Sequence, residues 1–104
     1  MEQFIYFLEP VRTTFARDAT DSEQALVAEH FHYLQDLLAA RRLILAGRTL
    51  EDQPTGIVVF EAPDRATAQA VLKNDPAVKG GVFKGRVAPY RVALERIATD
   101  TGSG

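Results

Sequence analysis

The chain has 104 residues, 46% of them hydrophobic, enough for one domain around one core and too few for two. It contains no cysteine, which excludes disulfide frameworks, thiolate nucleophiles, cysteine zinc sites and iron–sulfur clusters together and is compatible with a reducing, cytoplasmic setting. Twelve Lys and Arg against fourteen Asp and Glu give a formal charge of -2 without a basic stripe for a phosphate backbone, so nucleic acid is not an expected partner.

No basic, apolar and small-residue leader opens the chain, and no apolar run approaches the roughly 20 residues that cross a bilayer, so no membrane partner is expected. FIYFL at residues 4 to 8, ended by Pro10, has the aromatic and β-branched content of a strand. Phe4, Tyr6 and Leu8 on one side and Ile5 and Phe7 on the other require cover on both faces. Thr20-Asp21-Ser22-Glu23 has the form of a capping box and predicts a helix start. Leu26, Val27, Phe31, Leu34, Leu37 and Leu38 then follow the spacing of one buried helix face, with an end expected near Arg41 and Arg42.

LILAG at 43 to 47 and GIVVFEA at 56 to 62 are strand candidates joined by a polar connection, and they are expected to pair antiparallel. Asp64 can cap a second helix over RATAQAVLK, which stops before Asn74-Asp75-Pro76. After Gly80-Gly81, VFKGRVAPYRVAL predicts a long last strand to residue 94, interrupted near Gly85 and at Pro89, which favours an edge. One domain over residues 1–96 is expected, followed by a flexible tail at 97–104 with too little apolar surface to offset its ordering entropy.

The order β-α-β-β-α-β predicts an α+β, ferredoxin-like fold: a four-stranded antiparallel sheet with two helices on one face. Phe4, Ile5, Tyr6, Phe7, Val58, Val59 and Phe60 are expected to leave the other face substantially apolar, so a homodimer formed through sheet faces is expected.

The only two histidines lie in EHFHYL, residues 29 to 34. A helix turns about 100° per residue, so His30 and His32 point roughly 200° apart and cannot share an atom of metal or substrate. His30 falls within the stripe of Leu26, Val27 and Leu34, with Tyr33 beside it, whereas His32 shares a solvent face with Ala28 and Asp36. An inward histidine is either a core residue with its ring nitrogens satisfied or a proton-transfer group. A metal centre needs three or four convergent ligands, and none is expected here. Asp75 before Pro76 fits an N-cap with Pro at the first helical position. In this topology the segment after the second helix can return near the first, so Asp75 can also reach His30. A carboxylate there would fix the tautomer of the imidazole and suit it to acid–base work.

The series His30-x-x-Tyr33-Leu34, Leu45-Ala46-Gly47, Gly56 opening a strand, and Asp75-Pro76-x-Val78-x-x-Gly81-Val82-Phe83 resembles the YciI-like (YCII-related) family. Pro10-x-Arg12-x-x-Phe15 and Thr20-x-x-Glu23 are similar to one branch of it, and the match covers about residues 3 to 94. The resemblance implies a ferredoxin-like dimer with a small pocket and a His and Asp pair, carried over to His30 and Asp75. The resemblance further implies kinship with dehydrochlorinase-type enzymes and a fold similar to that of muconolactone isomerases. Many members read Ala-Gly-Pro where this chain has Ala46-Gly47-Arg48, so Arg48 is either an anion-recognising cation at the pocket mouth or a solvated turn residue.

Two functions are compatible with these residues. One is a lyase or isomerase needing no cofactor, with His30 as base or acid, Asp75 orienting it, Arg12 or Arg48 holding a substrate carboxylate, and Phe15, Tyr33 and Phe83 lining the pocket. The other is a non-catalytic dimeric module that binds a small metabolite. RNA binding through the sheet is disfavoured, because the last strand lacks the basic and aromatic pattern it requires.

Overall fold

Residues 1–96 are described by the computed structural model, and the expected tail at 97–104 lies outside them. The chain forms β1 (Glu2–Pro10), α1 (Phe15–Asp18), α2 (Asp21–Ala39), β2 (Leu43–Arg48), β3 (Gly56–Ala62), α3 (Arg65–Lys73), α4 (Pro76–Lys79) and β4 (Phe83–Pro89). The strands make one antiparallel sheet in the order β2-β3-β1-β4, the α+β ferredoxin-like arrangement expected from the sequence, with the short α1 and α4 added to it.

Alternation along β1 sorts its side chains. Phe4, Tyr6 and Leu8 join Val58, Phe60 and Val87 on one face, where they pack with Leu34 and Leu37 of α2 and Ala68, Val71 and Leu72 of α3. Burial of each large apolar side chain contributes roughly 1.5–3 kcal/mol, so this layer holds the helices onto the sheet. Phe4, Tyr6, Val58 and Phe60, counted toward the open face from the sequence, therefore lie under the helices, because alternate residues of a strand point to opposite faces, and Ile5, Phe7, Ile57 and Val59 project from the other face.

Register also builds a cross-sheet row in which Leu8 pairs with Gly85 and Gly56, and Gly56 pairs with Arg48. A Cβ at Gly85 would collide with the Phe7 carbonyl oxygen and lie 2.8 Å from Leu8 Cδ2, so β4 can approach β1 there only with glycine.

Both ends of α2 are closed by local chemistry. The Thr20 hydroxyl accepts from the Glu23 amide and the Glu23 carboxylate accepts from the Thr20 amide, the expected capping box. At the other end Arg41 adopts φ 61°, while the Arg42 and Arg41 amides bond to the carbonyls of Leu37 and Leu38. That turn stops the helix at Ala39, just before the two arginines.

Two further expectations are corrected. Phe31 and Leu38, placed by periodicity in the buried stripe, are 60% and 57% exposed. They lie seven residues apart on a flank of α2, and the contact stripe runs instead through Leu26, His30, Tyr33, Leu34 and Leu37. The last strand ends at Pro89 and does not continue to residue 94. Pro89 lacks an N–H for the ladder, and the chain then turns across the outer face, where the Tyr90 amide bonds to the Gln3 carbonyl and the Val92 amide to Gln3 Oε1. Among the described residues no helix is long and apolar enough to cross a membrane.

Candidate functional site

Asp75 ends the turn after α3 in an extended conformation and caps α4, its Oδ1 accepting from the Ala77 amide at 3.0 Å with Pro76 at the first helical position. Capping occupies only part of the carboxylate, which is fully buried. His30 Nδ1 lies 2.9 Å from Oδ1 and 2.7 Å from Oδ2, and the Tyr6 hydroxyl donates to Oδ2 at 2.7 Å. Asp75 thus caps α4 and meets His30 with one side chain. A carboxylate removed from water is tolerated when donors replace the lost hydration, and here an amide, a phenol and an imidazole do so.

These partners assign the proton. Tyr6 and the Ala77 amide donate to Asp75, so the carboxylate is the acceptor and His30 Nδ1 carries the hydrogen. In the neutral ring Nε2 then holds the free lone pair, and it has no hydrogen-bond partner among the described residues. Burial foremost, then the charge of Asp75, pushes the Tyr6 phenol far above its usual range, which keeps it a donor. Tyr33, three residues after His30, donates to the Val71 carbonyl at 2.8 Å. Its phenol is also raised, by burial first and Asp75 second, with Arg42 opposing.

Beside the pair lies a cavity of about 320 Å³, with Leu8 and Gly56 of the sheet beneath it, Val27 of α2 at one side and Phe15 and Ala16 of α1 above. Phe83 and Arg48 complete the wall. The Phe83 ring stands edge-on to Phe15 at 5.4 Å and to His30 at 5.9 Å, so it adjoins both the cavity and the imidazole. His30 itself does not line the cavity. A larger cleft of about 400 Å³ on the opposite face of the sheet, between Phe7, Glu9, Lys84 and Arg86, is lined by neither member of the pair.

The structure thus joins His30 to Asp75, sets Phe83 against His30, and gathers Phe15, Phe83 and Arg48 around one cavity. Tyr33 packs behind the pair against α3 and is not part of the lining. Arg12 does not line this cavity, and its guanidinium is held by neighbours although 40% of the side chain stays exposed. Its Nε and Nη2 bond to Glu23 at 2.9 and 2.7 Å, Nη1 to Thr14 at 3.1 Å, and Nη2 also to the carbonyl and carboxylate oxygens of Asp18 at 3.1 Å. It ties the segment carrying α1 to the start of α2. The residue overlooked at the pair is Tyr6, whose signal was a hydroxyl in a core-facing strand position, where a phenol needs a partner. Among the described residues no group of three or more metal-ligating side chains converges.

A family model described as the YCII-related domain matches residues 10–90. Among solved structures the chain is similar to a 5-chloro-2-hydroxyhydroquinone dehydrochlorinase, TftG, from Burkholderia phenoliruptrix AC1100, solved in complex with 2,5-dihydroxybenzoquinone. Identity is 22%, over 84% of this chain and 93% of that chain, with a TM-score of 0.55. It is also similar to a dimeric ferredoxin-like protein from an uncultured marine organism, at 16% identity over 94% of this chain and 100% of that chain, with a TM-score of 0.49. No curated protein matches. At 22% identity the likeness to TftG is one of fold.

Proposed function

The chain belongs to the YCII-related domain family, and we propose that within it this protein is a lyase or isomerase that works without a cofactor on a small carboxylated or aromatic-derived ring compound. The observation that carries this reading is the buried Asp75 carboxylate on His30 Nδ1, which leaves Nε2 as the proton acceptor. In the proposed step Nε2 takes a proton from carbon next to a carbonyl, and Asp75 steadies the imidazolium that forms. Arg48 holds the substrate's carboxylate or the oxygen charge that develops, and Phe15 and Phe83 flank the ring. In a dehydrochlorination the carbon–hydrogen electrons become the new double bond and chloride leaves, so one proton and one chloride are released. In an isomerisation the proton returns to a different carbon. A positioned base of this kind contributes typically 10²–10⁴ in rate.

TftG, whose printed description is that of a dehydrochlorinase bound to a dihydroxybenzoquinone, motivates the choice of substrates to try. Chlorinated hydroxyhydroquinones and unsaturated lactone carboxylates are offered to the purified protein, and chloride release and double-bond migration are followed. The expected result is turnover of one class that His30→Gln abolishes. Turnover unaffected by His30→Gln would remove the imidazole from the chemistry.

A second reading, a non-catalytic module that holds a metabolite, draws support from the absence of His30 from the cavity lining. It predicts saturable binding with no turnover, equally tight in His30→Gln.

The functional unit is proposed to be a homodimer joined through the outer sheet faces. Ile5 and Val59 are already buried beside the crossing segment, but Phe7 and Ile57 stay half-buried there, Leu45 is 49% exposed, and Leu94 on that segment is 94% exposed. A second copy of the same face would cover this surface. Light scattering at micromolar concentration is expected to give twice the 11.5 kDa chain mass, and a monomer would contradict the arrangement.

A further inference from the structure

Tyr6 occupies the middle of β1, the strand paired on both sides, and its ring is wholly buried edge-on to Phe60 at 5.6 Å. Core packing calls for the ring and not for the hydroxyl, since phenylalanine has the same shape. The hydroxyl nevertheless reaches Asp75 Oδ2 at 2.7 Å across 69 residues of sequence, the same oxygen that His30 Nδ1 approaches at 2.7 Å.

The geometry points to Tyr6 as a positioning residue of the pair: its O–H holds Asp75 Oδ2 in place and shares that oxygen with His30, setting the direction and strength of the Nδ1–H bond. This inference rests on the acid–base reading for its functional meaning. A carboxylate turns easily about its last torsion, which is broad and roughly two-fold. The Ala77 amide pins Oδ1 from α4. The Tyr6 hydroxyl pins Oδ2 from the centre of the sheet, so both oxygens are fixed from two different layers and the imidazole meets a rigid acceptor. Two donors on one oxygen also divide its charge. The phenol takes part of the electron density that would otherwise strengthen the bond to His30.

The test is the proton resonance on His30 Nδ1, read by imidazole-edited NMR on the full chain, with the exposed His32 as internal control. In Tyr6→Phe that resonance is expected to move downfield, because Asp75 loses a competing donor and draws Nδ1–H closer. Replacing Tyr6 site-specifically by 3-fluorotyrosine makes the phenol a stronger donor and is expected to move it upfield. His32 should stay in place in both. In an Asp75→Asn background neither change at position 6 should reach His30. Should Tyr6→Phe not fold, the isosteric fluorotyrosine protein decides alone. A His30 resonance unmoved by fluorotyrosine, or moved in the same direction by both replacements, overturns the proposal. Because the readout needs no ligand, a chain without turnover can still uphold the role of Tyr6, and turnover with an unmoved resonance removes that role alone.

Discussion

His30 Nδ1 meets both carboxylate oxygens of Asp75, at 2.9 and 2.7 Å, across 45 residues of sequence. The contact joins the middle of α2 to the first residue before α4, so the pair depends on how the helical layer packs. Asp75 is at once the cap of α4, the acceptor for Tyr6 and the partner of His30, and changes at this one side chain test several links together.

Asp75→Ala removes a cap and leaves the Tyr6 hydroxyl and His30 Nδ1 without their acceptor, so a loss of about 3–5 kcal/mol of stability is expected. Asp75→Asn keeps one acceptor oxygen for Ala77 but turns an NH₂ toward two donors, at a cost of about 2–3 kcal/mol. Urea unfolding checks this through the midpoint at unchanged slope. Equal midpoints for both variants and the parent would mean that the carboxylate is not a structural acceptor.

The Arg12 guanidinium, by its hydrogen bonds, holds Glu23 down from its ordinary 4.5 to about 2, with the Thr20 amide assisting. A carboxylate depressed in the folded state adds stability that is fully present above its unfolded pKa and is lost as pH falls through the folded one. The contribution of Glu23 should therefore fade between about pH 4.5 and 2. Thermal unfolding of the parent and of Glu23→Gln should differ at neutral pH and converge across that window. Parallel curves through it would sever Glu23 from acid sensitivity.

A Cβ at Gly56 would meet only ordinary contacts, Leu8 Cβ at 3.5 Å and the Gly47 carbonyl oxygen at 3.8 Å. Gly56→Val should consequently fold, with a gain of up to about 1 kcal/mol from strand propensity, while filling the cavity floor. Carboxylate binding measured by calorimetry should disappear. Gly85→Ala, which collides with backbone, should instead lose about 1–3 kcal/mol of stability. A Gly56→Val protein that binds as well as the parent would place the ligand elsewhere.

Arg48 is exposed at the cavity wall, opposite Gly56, and it makes no ion pair among the described residues. Arg48→Gln should weaken carboxylate binding by roughly tenfold to a hundredfold, the worth of one charge-assisted hydrogen bond, with the unfolding midpoint unchanged. Arg12→Gln should do the reverse, lowering stability through its bonds to Glu23 and Asp18. Equal losses of affinity in both would return Arg12 to the binding surface.

Local signals were legible where their causes are local. Gly56–Ala62, Arg65–Lys73 and Pro76–Lys79 begin and end where apolar runs, the Asp64 and Asp75 caps and Pro76 place them. Helix phase separated His30 from His32 because 100° per residue is a property of the backbone alone. The partnership with Asp75 needed topology and a family resemblance, since nothing near residue 75 names residue 30. The four-residue α1 offers no periodic face to read. Nothing in the sequence around Arg12 announces its bonds to Glu23 and Asp18, which it meets only after the chain has turned through α1. Tyr6 resembled an ordinary core aromatic, and only the position of Asp75 gives its hydroxyl a purpose.

The most direct measurement follows both imidazoles by nitrogen-15 NMR while a small cyclic carboxylate is added. With His30 as the reacting group at the ligand site, its ring carries hydrogen at Nδ1 and its Nε2 signal shifts on addition. That shift should need roughly tenfold to a hundredfold more ligand in Arg48→Gln and be altered in Asp75→Asn, while His32 stays still throughout. A His30 ring protonated at Nε2 alone, or one that no ligand disturbs in a protein shown to bind it, would contradict the central claim.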